Sequence, residues 1–190
     1  MKKVPLEVEG LILSGSISNE LDYERALMAD RSLRLLAKED AHFKTLRSKL
    51  RALIALYEKA VWSDVDQIDE KKLLESDQAE RQAELERQFI QNRKQLIRQK
   101  LQTFDLTQEN LASLLGHQSK THMSELINGI KPFTLKDLII IHQLFQIDMA
   151  VLIPVFLSKD DQLKVRKAIK NLDKPQLKLT TDDFNFVLKV

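Results

Sequence analysis

Short hydroxyl, amide and carboxylate side chains are concentrated between residues 118 and 128. At 100° per residue, Gln118, Thr121, Ser124, Glu125 and Asn128 fall on one side of a helix. Side chains of this size suit hydrogen bonding to base edges and to phosphates. We therefore predict that this segment carries a nucleic-acid-binding face.

Other polar residues extend this predicted face towards phosphate groups. Lys120 and Lys131 flank it and are expected to pair with phosphates. Ser119 would cap the helix, whose first N–H groups favour an anion. Gln108 offers an amide to phosphate from the preceding helix, whereas His122 either reaches a phosphate from the flank or is simply solvated.

Two short helices separated by a glycine are predicted to position these groups. Thr107 would cap the first helix, Gly116 would end it, and Asn128-Gly129 would close the second. Helices this short are unstable alone, so they must pack on their neighbours. The pattern is typical of a helix-turn-helix, in which one helix braces and the second enters the major groove. The predicted buried residues are Leu111, Leu114, Leu115, Met123, Leu126 and Ile127.

A further helix is predicted after this pair. Thr134 and Asp137 resemble a capping box, and Asp148 would cap a short last helix that ends before Pro154. The apolar face of the helix after Thr134 consists of Leu138, Ile141, Leu144 and Phe145.

The first part of the chain is predicted to be a helical hairpin. Residues 1–18 form an extended lead-in with weak strand alternation, and helices follow at about Glu20–Ala37 and Asp40–Val61. The strongly charged residues 66–88 form a linker or a solvated helix.

The fold predicted from these patterns is all-α with minor β structure at the termini. Near the C-terminus, a helix at about Asp160–Leu172 precedes alternating residues from Leu177 that favour a β-hairpin or edge strand. The chain is predicted to divide into four regions. Residues 1–65 form a partner-binding or dimerisation region, and residues 66–88 are the charged segment. Residues 89–156 form a DNA-binding domain, and residues 157–190 form a C-terminal region.

Composition and motifs exclude several classes of function. The formal net charge of +2 is too small to identify a partner, and the absence of cysteine excludes thiolate metal sites. The four histidines are scattered, and the sequence contains no G-x-x-x-x-G-K-S/T, H-E-x-x-H or G-x-S-x-G motif. We therefore expect no enzyme activity, metal or cofactor. Without a signal-peptide core or an apolar run long enough to span a membrane, a cytoplasmic location is expected.

The string LTQENLASLLG, followed by SELING, resembles the DNA-binding domains of the Xre family, the Cro and lambda-repressor type. The resemblance covers roughly residues 90–155 and implies a five-helix domain with its recognition residues between Gln118 and Asn128. Many members carry a basic residue where this chain has Glu125. A glutamate can accept a hydrogen bond from cytosine N4, but it repels phosphate.

The stretches SISNELDYERAL, LRALIALYEKAV and SKTHMSELINGIKPFTL are similar to HigA-type antitoxins. This resemblance implies a protein that neutralises a small mRNA-cleaving toxin of the HigB type. It also implies a homodimer that represses its own operon by binding a palindromic operator in double-stranded DNA.

Two alternatives remain open at the level of sequence. The protein could be a stand-alone Xre-type regulator without a toxin partner. It could also be a scaffold in which the helix-turn-helix has become a protein-docking surface that no longer binds DNA, as the modest net charge and Glu125 allow.

Overall fold

The structure, a computed structural model, describes residues 8–64, 68–154, 157, 159–172, 174 and 176–178. All regular structure in these ranges is helical, which confirms the predicted all-α class. The chain divides into two compact units, residues 1–152 and 153–190. The helices are α1 Val8–Ser14, α2 Glu20–Leu36, α3 Ala41–Val61, α4 Glu70–Thr103, α5 Gln108–Leu115, α6 Lys120–Ile127, α7 Leu135–Phe145, α8 Met149–Leu152 and α9 Lys159–Asn171.

Helices α2 and α3 form the predicted hairpin, and side chains of the expected type cap both of them. Asn19 accepts a hydrogen bond from the Asp22 N–H at 2.9 Å, and Asp40 accepts one from the His42 N–H at 2.8 Å. Helix α1 packs against both helices. Their shared core also includes Ile130, which follows α6. The buried members of this core are Val8, Ala26, Ala29, Leu33, Phe43, Leu50, Ile54 and Ile130.

Helix α4 is 34 residues long and packs along α2. The small buried residues Ala79 and Ala83 let the two helices approach closely. Beside them, the Arg25 guanidinium donates two hydrogen bonds to Glu86, each 2.6 Å long. At the first residue of α2, Glu20 accepts a hydrogen bond from the Ser76 hydroxyl of α4 at 2.9 Å. The charged sequence therefore forms a packed helix.

The second half of α4 supports α5–α8. Arg93 is buried between the rings of Phe89 and Phe133, and its Nη1 donates to the Leu152 carbonyl at 3.3 Å. Burial lowers the pKa of Arg93 to about 10. The large buried apolar side chains on the helices and loops after α4 include Leu111, Leu115, Met123, Leu126, Ile127, Phe133, Leu138, Ile141, Phe145 and Leu152.

Several predictions about the elements need correction. The extended lead-in is wrong over Val8–Ser14, which is helical, and its first seven residues lie outside the described ranges. The boundary predicted between residues 88 and 89 falls inside α4. Leu114 and Leu144 were expected to be buried but are exposed, because each lies at the edge of its apolar stripe. Most of the predicted C-terminal β structure lies outside the described residues.

The second unit is described mainly through α9, close to the predicted position of that helix. The helix ends at Asn171, and Gln162 donates to the Leu157 carbonyl at 3.0 Å.

Candidate nucleic-acid interface

Local sequence fixes the ends of α5 and α6 as predicted. Thr107 and Asn110 form a capping box at the start of α5, and Gly116 ends it in the left-handed conformation at φ 82°. The Ser119 hydroxyl accepts a hydrogen bond from the His122 N–H at 3.1 Å and thereby caps α6. A short connection of four residues, 116–119, therefore joins the two capped helices.

The beginning of α6 is open to solvent. Gln118, Ser119 and Lys120 are exposed. The Lys120 ammonium lies 3.0 Å from a carboxylate oxygen of Glu109, but their side chains are 80% and 64% exposed. An exposed ion pair of this kind contributes little stability, so Lys120 can leave Glu109 for another anion.

Glu125 lies inside the structure, and the prediction that it belongs to an open polar side is wrong. Only 3% of the residue is exposed. One carboxylate oxygen lies 2.7 Å from His42 Nε2, and the other lies 3.0 Å from Lys131 Nζ. His122 Nδ1 lies 3.5 Å from the second oxygen. Desolvation opposes ionisation of Glu125, but hydrogen bonds from His42, Lys131 and His122 outweigh it and lower its pKa.

Thr121 is also engaged within the chain. Its hydroxyl donates a hydrogen bond to Asp40 at 3.2 Å, and the residue is half-buried. Asp40 is the residue that caps α3. The start of α3 therefore lies directly against the first turn of α6.

The C-terminal end of α6 is held by α4. Lys94 Nζ donates to the Asn128 side-chain oxygen at 2.7 Å, and the Asn128 amide nitrogen donates to the Ser124 carbonyl at 2.8 Å. Gly129 follows with φ 69°, and a Cβ placed there would lie 2.8 Å from Ile90 Cγ2. Any larger residue would have to adopt this positive φ and displace the Ile90 side chain.

Lys131 joins α6 to the beginning of the described chain. Its ammonium lies 3.3 Å from Glu9 as well as 3.0 Å from Glu125. The Glu9 N–H donates to the Ile130 carbonyl at 3.3 Å. Lys131 is thus part of an internal ion-pair network, which reduces its availability to a phosphate.

Two histidines and a buried carboxylate lie next to this network. The rings of His117 and His122 meet edge to face with centroids 4.9 Å apart. His117 Nε2 lies 3.2 Å from Asp137, which is buried in the capping box of α7, but makes no hydrogen bond to it. Within the described ranges, no group of three or more His, Asp or Glu residues is arranged to hold a metal.

The predicted site residues therefore differ in their exposure to solvent. Gln108 begins α5, and the Glu109–Lys120 pair links the starts of α5 and α6. Exposed members of the site are Gln118, Ser119 and Lys120; half-buried members are Gln108, Thr121, His122, Ser124, Asn128 and Lys131; Glu125 is buried.

Sequence reasoning missed the residues that cover α6. These are Asp40 and His42 at the start of α3, Lys94 in α4 and Glu9 in α1. None has a local motif that points to α6. The one available signal was an unusual carboxylate on a helix whose other polar groups are neutral or basic.

Comparison with known proteins gives no relative from which a family could be read. No family model matches the chain, and neither curated proteins nor solved structures show significant similarity to it. Among the described residues, no helix has both the length and the apolar character needed to cross a membrane.

Proposed function

We propose that the protein is a sequence-specific DNA-binding regulator that acts as the antitoxin and autorepressor of a toxin–antitoxin operon. In this proposal the end of α4 and helices α5–α8 form an Xre-type helix-turn-helix domain. Helix α6 is its recognition helix, and α5 braces it. The protein binds a palindromic operator as a homodimer and neutralises a small mRNA-cleaving toxin.

The observation that carries the DNA-binding proposal is the solvent exposure of residues 118–120 at the N-terminal end of α6. Gln118, Ser119 and Lys120 project from a capped helix end, where a duplex can approach. The N-terminal residues of a recognition helix are those that meet base edges, and its N–H groups favour phosphate. The weak Lys120–Glu109 pair leaves an ammonium free to exchange onto the backbone.

The engaged residues change the expected division of roles. Glu125 and Lys131 neutralise each other, so neither is expected to dominate contact with DNA in this form of the chain. Direct base contact is expected mainly from Gln118 and from Thr121 when its hydroxyl is released by Asp40. Asn128 is expected to serve chiefly to hold the end of α6 on Lys94.

DNA binding is tested by footprinting on the promoter of the gene itself. A protected palindrome with half-sites about 34 Å apart is expected. Affinity should fall steeply with salt, because released counterions supply much of the binding free energy. A footprint absent at every salt concentration would contradict the proposal.

The antitoxin role requires a separate test. The protein should co-purify with a small basic protein encoded next to it and relieve the growth arrest which that protein causes. DNA binding without any such partner would instead support a stand-alone regulator.

A protein-docking scaffold is the second candidate, and the covering of α6 favours it. Thr121 and Glu125 both face the start of α3, and this leaves less of α6 available to a duplex. Under this alternative the protein binds no DNA, and substitutions at Gln118 and Lys120 change capture of a protein partner without salt dependence.

A further inference from the structure

The start of α3 touches the part of α6 that the proposed function assigns to DNA. The Asp40 carboxylate accepts the Thr121 hydroxyl at 3.2 Å, and His42 Nε2 lies 2.7 Å from Glu125. These contacts connect residues that are 81 and 83 positions apart in the chain. They lie on the first and second turns of α6, between the exposed residues 118–120 and the anchored C-terminal end of the helix.

The two contacts compete with DNA for the same space. A duplex deep enough for the Thr121 hydroxyl to meet a base edge would need the position that Asp40 occupies. It would also bring a phosphate backbone close to the Asp40 carboxylate, and like charges repel. We call the segment that carries Asp40 and His42 the corner between α2 and α3. Helix α6 cannot insert Thr121 into a major groove while this corner remains in place.

We propose that this corner is an internal lock on α6, in which Asp40 and His42 hold the chain in a form with low affinity for DNA. The inference rests on the proposed function and specifies how the same site is regulated. DNA binding then requires the corner to move away, and the free energy of breaking its contacts reduces the apparent affinity.

The contacts are of the kind that can open without unfolding the hairpin. The His42 side chain is 42% exposed, and Asp40 is half-buried. By contrast, the buried core of α1, α2 and α3 holds the hairpin together, and the Arg25–Glu86 pair joins α2 to α4. That core includes Ile130 just after α6, so the corner opens at Asp40 and His42 while Ile130 stays buried. Glu125 also keeps Lys131 as a partner when His42 leaves, so opening does not strand a buried charge.

The test is a paired variant, Asp40→Ser with His42→Ala, made in the full chain. Serine still caps α3 but is too short to reach Thr121. Arg47→Ala is the matched control, because it breaks an ion pair to Asp30 at 2.8 Å within the same hairpin without touching α6. His42→Ala alone, which leaves the cap intact, is the second variant should the pair disturb folding.

Two measurements are made on all four proteins. The first is affinity for a DNA fragment selected from a genomic library with the paired variant. The second is amide hydrogen exchange of α6 without DNA. We expect the paired variant to bind about tenfold more tightly than the native chain, which corresponds to about 1.4 kcal/mol. Its α6 amides should exchange faster, His42→Ala should show a smaller change in the same direction, and Arg47→Ala should behave as the native chain does.

The other outcomes distinguish failure of the lock from failure of the proposed DNA binding. Equal DNA affinity of native and paired variants would overturn the lock and leave DNA binding standing. Weaker binding by the paired variant would overturn it too, because Asp40 and His42 would then position α6 for DNA. If no variant selects any DNA although α6 exchanges faster, the proposed function fails, and with it any lock on DNA binding.

Discussion

Glu125→Gln should destabilise the protein without altering any DNA sequence preference. The carboxylate is 3% exposed and faces His42, Lys131 and His122. Glutamine has nearly the same shape and keeps one acceptor oxygen, but it lacks the negative charge with which all three partners interact. Hydrogen bonds to charged groups contribute roughly 1.5–3 kcal/mol, and Glu125 lies just beneath the partly exposed His42. We expect a loss of about 2 kcal/mol, or about 4–8 °C in Tm for a unit of this size.

The effect should depend on pH in a defined direction. The pKa of Glu125 is lowered from its ordinary value of 4.5. Its ionised form therefore stabilises the fold fully above about pH 4.5, and this contribution is lost as the pH falls through the lower folded value. The difference between native and variant proteins should be large at pH 7 and should close at lower pH.

Urea unfolding followed by far-UV circular dichroism measures both quantities. Glu109→Gln is the matched control, because Glu109 also faces a lysine but its side chain is 64% exposed. We expect no measurable loss there. Equal losses in the two variants, or a Glu125 effect that is the same at pH 7 and pH 3.5, would refute the assignment of Glu125 as an internal anchor.

The remaining predictions concern backbone, packing and charge. Gly129→Ala should reduce the free energy of unfolding, measured in urea, by more than about 2 kcal/mol. Gly116→Ala has a similar positive φ but open space around it, so it should reduce that free energy by only about 1 kcal/mol. Equal losses in the two variants would exclude a steric clash at Gly129. Arg25→Ala should reduce the free energy of unfolding by roughly 3–5 kcal/mol, because it leaves the buried Glu86 carboxylate without its cationic partner. Arg47→Ala, at a more exposed ion pair, should have a much smaller effect, and the reverse order in urea unfolding would be inconsistent with the burial. Lys120→Ala should weaken binding to all DNA sequences alike and reduce the slope of log affinity against log salt by about one, and a changed base preference in a binding-site selection would show that Lys120 reads bases.

Features encoded in adjacent residues were predicted from sequence. Thr107, Ser119 and Thr134 cap their helices, and Gly116 ends α5, because each interaction closes within three or four residues. The burial of Met123, Leu126 and Ile127 also followed from helical periodicity. These signals define the apolar inner side of α6, but not the burial of Glu125.

The covering of α6 could not be predicted in the same way. Periodicity shows which side of a helix is polar, but not whether a distant segment provides partners for that side. Asp40 could equally be read as a cap with no further role, and His42 lies 83 residues from Glu125. For the charged residues 66–88 a helix was one of the two alternatives predicted, but the packing of these residues against α2 was not foreseen, for a different reason. Their apolar contribution is made by alanines, Ala79 and Ala83, whose small side chains contribute little to a hydrophobic pattern.

The length of α4 has a practical consequence for dissecting the molecule. Its 34 residues span about 50 Å at 1.5 Å per residue and carry contacts to both the N-terminal hairpin and α8. A truncation that removes the hairpin would either sever this rod or leave Ala79 and Ala83 facing water. Truncated fragments are therefore poorly suited to assigning functions to separate regions. Single substitutions in the intact chain assign them more reliably.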